Sequence, residues 1–153
     1  MPEDFEPDSS PDGGPRLFEI SVDLDGDAGC IARARASAAG FLRRAREQYR
    51  LPVADRIVEN VQLVVSELVT NAIKYAPGPA RLQMRIQDAT VWIEVWDSAP
   101  HRLAVHDTNP QRIGQHGLEI VTLLTRTLTV YPDSVGKRVT ASLDLHPPHG
   151  LTA

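Results

Sequence analysis

The stretch Ser66-Glu67-Leu68-Val69-Thr70-Asn71-Ala72-Ile73-Lys74-Tyr75 decides how the rest of this chain is read. At about 100° of rotation per residue, Asn60, Glu67, Asn71 and Lys74 fall within one narrow sector of a helix. Leu63 and Val64 flank that sector, so it is not simply the solvent face. A carboxylate and a carboxamide one turn apart point the same way, and both offer hard oxygen atoms of the sort that magnesium and its waters prefer. Taken alone, the spacing more often describes an ordinary surface pair on a helix. The surrounding sequence has to decide.

The helix around this stretch opens near Asp55, a residue suited to capping, and buries Val58, Val61, Val65, Leu68 and Ala72 on one stripe. Pro77-Gly78-Pro79 ends it after about Ala76. Upstream, Leu51-Pro52 separates it from a first amphipathic helix, Ile31 to about Tyr49. That helix carries Ala34, Ala38, Phe41, Leu42 and Ala45 at helical spacing, with arginines on its other faces. A solvated face is the expected role of those arginines. Before it, Phe18, Ile20, Val22 and Leu24 alternate with Glu19, Ser21 and Asp23 as in a half-buried strand, which Gly26 and Gly29 break.

Downstream, Arg81 to Gln87 and Val91 to Trp96 alternate and read as adjacent antiparallel strands joined through Asp88-Ala89-Thr90. A polar stretch from Asp97 to Gly117 reads as a long loop. Leu118 to Thr125 then looks helical, and two strands come after it, Leu128 to Tyr131 and Val139 to Leu145, with a turn at Ser134 to Lys137. This order predicts a two-layer α/β sandwich, with helices covering one face of a mixed, mostly antiparallel sheet. The folded domain is expected over residues 16–146. Residues 1–15 are rich in acid and proline with no basic residue, the composition of a disordered tail. Residues 147–153 make a short C-terminal tail.

The composition narrows the function. A chain of 153 residues with 42% apolar content supports one domain with a real core. The formal charge of −4 gives no basic field for a polyanion, so nucleic acid is not the expected partner. Cys30 is the single cysteine, which excludes an internal disulfide framework or a multi-cysteine zinc site and fits a reducing cytoplasm. No apolar run approaches the roughly 20 residues needed to cross a bilayer, and the N-terminus lacks the basic-then-apolar order of a signal peptide.

Together with the segments downstream of it in the chain, the 66–75 stretch resembles the N box of the GHKL ATPase superfamily, whose members share the Bergerat nucleotide-binding fold. The resemblance implies ATP and Mg2+ as cofactors. In it, Asn71 matches the magnesium ligand and Glu67 the residue that positions or deprotonates the attacking nucleophile. Lys74 matches a position that often faces phosphate with a cation, and Tyr75 one that often lines the nucleotide pocket; ordinary helix-end roles stand beside both.

Trp92-Ile93-Glu94-Val95-Trp96-Asp97 is a strand ending in a carboxylate, and Asp97 resembles the G1-box aspartate that accepts a hydrogen bond from the adenine amino group. The glycine expected two residues later is absent from Asp97-Ser98-Ala99-Pro100. Gly114-Gln115-His116-Gly117-Leu118 resembles the G2 box, in which Gly114, Gly117 and Leu118 bring backbone amides and a helix N-terminus to phosphate. The residues between form a short lid that includes His101, Arg102, His106 and Asp107. Val135-Gly136-Lys137-Arg138-Val139-Thr140 resembles the last hairpin of the fold. Thr140 faces the adenine in some relatives and is otherwise a β-branched strand residue.

All five histidines lie downstream of the N box, whereas sensor histidine kinases carry their phosphoacceptor histidine upstream, so autophosphorylation of that kind is not expected. Topoisomerase and chaperone members need longer chains. The resemblance is strongest to bacterial anti-sigma-factor serine/threonine kinases and their short actinobacterial relatives. It implies a cytoplasmic kinase that acts on an anti-anti-sigma-type partner, binds a sigma factor and assembles as a homodimer. The alternative it leaves is a nucleotide-dependent protein-binding switch without kinase activity.

Overall fold

The computed structural model describes residues 18–75, 78–98, 115–132 and 136–146. Within them the order is β1 (Phe18–Leu24), α1 (Cys30–Gln48), α2 (Asp55–Tyr75), β2 (Ala80–Gln87), β3 (Thr90–Asp97), α3 (Gln115–Leu124), β4 (Thr127–Pro132) and β5 (Lys137–Asp144). Every expected helix and strand is present, with boundaries that differ by at most three residues and with β1 unchanged. The five strands form one sheet in the order β1-β2-β3-β5-β4. All four pairings are antiparallel, where the reading of the sequence allowed a parallel pair as well.

Period-two alternation explains the layers. Leu82, Met84 and Ile86 on β2 stand opposite Val95, Ile93 and Val91 on β3, and these stand opposite Val139, Ala141 and Leu143 on β5. Ile20 and Val22 extend the same rows onto β1. All of them belong to or pack against one core, into which α1 sends Cys30, Ala34, Ala38, Phe41, Leu42 and Ala45. From α2 come Ile57, Val61, Val64, Val65, Leu68, Val69 and Ala72, a wider stripe than expected, with Val58 only half-buried. Leu63 is 39% exposed, so only Val64 keeps the neighbouring polar sector from being open on both sides.

The opposite face of the sheet carries charge and aromatic rings instead. The Arg138 guanidinium lies 5.1 Å from the Trp96 ring centre and 4.3 Å from that of Tyr131, and the Arg85 guanidinium lies 5.3 Å from that of Trp92. These are cation–π contacts on a solvated surface.

Local details follow from the backbone. Asp55 is the first residue of α2 rather than a side-chain cap. The Ala54 carbonyl accepts from the Ile57 and Val58 N–H groups at 2.9 and 3.3 Å, and Asp55 instead pairs with Arg46 of α1 at 2.7 Å. Asp88 and Ala89, between β2 and β3, have φ of 53° and 62°. A two-residue hairpin with both residues left-handed matches the twist of its strands. Among the described residues no helix is long and apolar enough to cross a membrane.

Candidate functional site

The helical sector that carries Glu67 and Asn71 is half-buried, and Lys74 beyond it is exposed. Among the described residues no hydrogen bond or ion pair engages the side chain of Glu67 or of Asn71. Two oxygen-bearing side chains one turn apart, unengaged by the described residues, suit a cation that shares its shell with water and phosphate. No cluster of three or more His, Cys, Asp or Glu side chains capable of holding a metal occurs among the described residues. An ion held by protein alone is thus not what this helix offers. The donor set fits a magnesium ion brought in with a phosphate, which keeps several waters and takes few protein ligands.

The chain itself delivers α2 to one end of the sheet. Only four residues separate Tyr75, the last of α2, from Ala80, the first of β2, a span of at most about 17 Å. The register continues the transverse row Leu24–Ala80 into Asp97–Lys137. Ser98 donates from Oγ to the Pro79 carbonyl at 3.3 Å, tying the exit of α2 to the end of β3. The C-terminal turns of α2, with Asn71 and Lys74, therefore run toward the sheet end that bears Asp97.

Asp97 continues the core-facing parity of β3. Its side chain is 2% exposed, and Lys137 lies 3.2 Å away through Nζ–Oδ2 with its own side chain 21% exposed. A carboxylate so deeply covered is costly unless paired, and the lysine opposite supplies the pairing. β5 reaches this position only because Gly136 precedes it. A Cβ there would land on the Asp97 carbonyl oxygen and within 3.0 Å of Ser98 Cα and the Asp97 carbonyl carbon. A cavity of about 630 Å³ opens at this end of the sheet, with Asp25, Trp96, Asp97, Ser98, Gly136 and Lys137 in its wall. That is within the range of roughly 300–1,000 Å³ usual for small-molecule sites. Glu67 and Asn71 do not line it.

The structure thus brings Asp97 to one end of the sheet and directs Asn71 and Lys74 toward it. Thr140 does not join them. In β5 the residues Lys137, Val139, Ala141 and Leu143 share the helix-facing side, so Thr140 faces the other way, where its hydroxyl lies 3.5 Å from Glu94 Oε2. The residue of this strand beside Asp97 is Lys137, which sequence reasoning missed. The signal was present: the alternation of Val139, Ala141 and Leu143 already assigns odd-numbered positions to the interior. Gly117 lies within the first turn of α3, which begins two residues before it. Gly114, the side chains of Tyr75 and Leu118, the lid residues, the acidic segment 1–15 and residues 147–153 lie outside the described residues.

Several known proteins share this arrangement. Among solved structures, the RsbU and RsbW domains of Rv1364c from Mycobacterium tuberculosis superpose with a TM-score of 0.63 at 17% identity, over 83% of this chain. This chain spans 32% of that one, about a third of its length. The Acinetobacter baumannii histidine kinase AdeS superposes with a TM-score of 0.50 at 14% identity, over 84% of this chain and 68% of its own. At such identities the likeness is one of fold. No curated protein matches the chain. The profile of the histidine kinase-like ATPase domain matches residues 30–143, from the start of α1 to the end of the sheet. A match over that span, on a sheet and helices arranged as described, makes this chain a member of the histidine kinase-like ATPase family, the GHKL superfamily, with nucleotide binding as the property the family implies.

Proposed function

We infer that this chain is a cytoplasmic Mg-ATP-binding regulator of the anti-sigma-factor type, which transfers phosphate to a serine or threonine hydroxyl of an anti-anti-sigma-type partner. The observation that carries the reading is the Glu67–Asn71 pair, half-buried, one turn apart, and on a helix whose exit is tied to the Asp97 end of the sheet. In this reading Glu67 accepts the hydroxyl proton of the partner as its oxygen bonds to the γ-phosphorus of ATP and the bond to the bridging oxygen breaks, releasing ADP. Asn71 takes one position in the shell of a magnesium ion, which when bound neutralises charge on the phosphates. The amides of the segment Gly114 to Gly117 and the N-terminal dipole of α3 receive the phosphates. A sigma factor and a second copy of the chain complete the set of expected partners.

The test uses labelled ATP, magnesium, the purified chain and a candidate anti-anti-sigma partner. Wild type is expected to label the partner. Glu67→Gln is expected to lose labelling while still binding ATP, and Asn71→Ala to weaken ATP binding by about tenfold or more at unchanged melting temperature, as for a lost contact to a charged group. Retained labelling by Glu67→Gln would sink the proton-transfer role. The second reading, a nucleotide-dependent switch without catalysis, is favoured by Asp97-Ser98-Ala99-Pro100, where alanine stands in place of the glycine of the family's box. It predicts no labelling by wild type and a biological output that survives Glu67→Gln but not Asn71→Ala.

A further inference from the structure

Lys137 changes what the Asp97 end of the sheet presents to a base. A buried carboxylate alone offers only acceptors, which matches an exocyclic amine and leaves a carbonyl oxygen facing it unpaired. Here an ammonium stands 3.2 Å from that carboxylate, and both line the same cavity. The ammonium carries three donors, of which Asp97 uses one. A phosphate is a poor match for this spot, because the adjacent carboxylate repels it. A neutral planar edge that carries a donor beside an acceptor matches it on both sides.

We propose that Lys137 is a base-reading residue that makes the pocket tolerant of both 6-amino and 6-oxo purine nucleotides. With adenine, the amino group donates to Asp97 while Lys137 keeps its pairing with the same carboxylate, so the ammonium adds no contact to the base. With guanine, ring N1–H donates to Asp97 and the 6-oxo oxygen accepts from Lys137. Neither base leaves Asp97 or Lys137 unpaired, so the discrimination that a lone carboxylate imposes is lost. The inference rests on the nucleotide-binding reading of this chain and deepens it.

The experiment is calorimetric titration of the full chain with ATP and with GTP in magnesium chloride, for wild type, Lys137→Met, Lys137→Thr and Lys137→Arg. Wild type is expected to prefer ATP by less than about thirtyfold, against the far larger ratios reached when a site leaves a polar group unpaired. Lys137→Met and Lys137→Thr are expected to weaken GTP at least about tenfold more than ATP, the cost of an unpaired buried carbonyl, and Lys137→Arg to restore the wild-type ratio. A larger wild-type preference for ATP overturns the proposal and leaves ATP binding standing. So does an unchanged ratio in either folded variant that lacks the ammonium. Should neither variant fold, the wild-type ratio alone decides. Binding of neither nucleotide by wild type overturns this proposal together with the nucleotide-binding reading on which it rests.

Discussion

The two ends of the sheet are built from the same strands on the same face, yet they differ in kind. At one end the row Phe18, Ile86, Val91 and Leu143 is apolar throughout. Phe18 stacks on Phe41 of α1 at 4.8 Å between ring centres and meets Tyr49 at 4.4 Å. The chain there closes with a two-residue hairpin, whose Ala89 carbonyl accepts from the Leu145 N–H at 2.9 Å. At the other end the row Leu24, Ala80, Asp97 and Lys137 turns from apolar to charged halfway across, and a glycine is needed to let the strands meet. The first end is built from apolar packing and backbone hydrogen bonds. The second accepts a buried carboxylate and tight backbone contact, departures from local rules that proteins concentrate where they bind.

Substitutions at the two ends should separate along that line. The largest effect is expected from Gly136→Ala, whose methyl has no space beside Asp97. A loss of about 3 kcal/mol in denaturant unfolding, together with loss of nucleotide binding, follows from overpacking against backbone. Next is Phe18→Ala at the opposite end, expected to cost about 2 kcal/mol because the half-buried ring gives up two aromatic contacts, with nucleotide affinity in the surviving folded protein unchanged. A matching drop in affinity would show that the two ends are not independent. The smallest is Ala89→Gly, which relieves a left-handed alanine and should stabilise by about 1 kcal/mol in the same measurement. No gain there would mean that the hairpin conformation carries less strain than its φ implies.

Much of the stable end was legible in the sequence, because it is governed by local periodicity. Phe18 to Leu24 alternates, α1 repeats its alanines at helical spacing, and Arg81 to Trp96 reads as a hairpin without reference to the rest of the chain. The helical pair of the candidate site was legible for the same reason: Glu67 and Asn71 are related by one turn of one helix. The Asp97 end was only half legible. Asp97 announces itself by closing a strand, but its partner comes from β5, about forty residues on, and only the antiparallel register brings the two together. Pairing β5 between β3 and β4 is likewise a tertiary choice that no local pattern encodes. Thr140, which faces the adenine in some relatives and is otherwise a β-branched strand residue, lies on the other face of β5, and Lys137 is the residue of that strand beside Asp97.

The aromatic side of β3 has a practical consequence. Trp92 and Trp96 are the chain's two tryptophans, both on the face away from the helices and each under an arginine. Their fluorescence thus originates from a single strand, and Trp96 is the backbone neighbour of Asp97 and a wall of the adjoining cavity. The protein carries its own optical label beside the Asp97–Lys137 pair, without any dye or engineered probe.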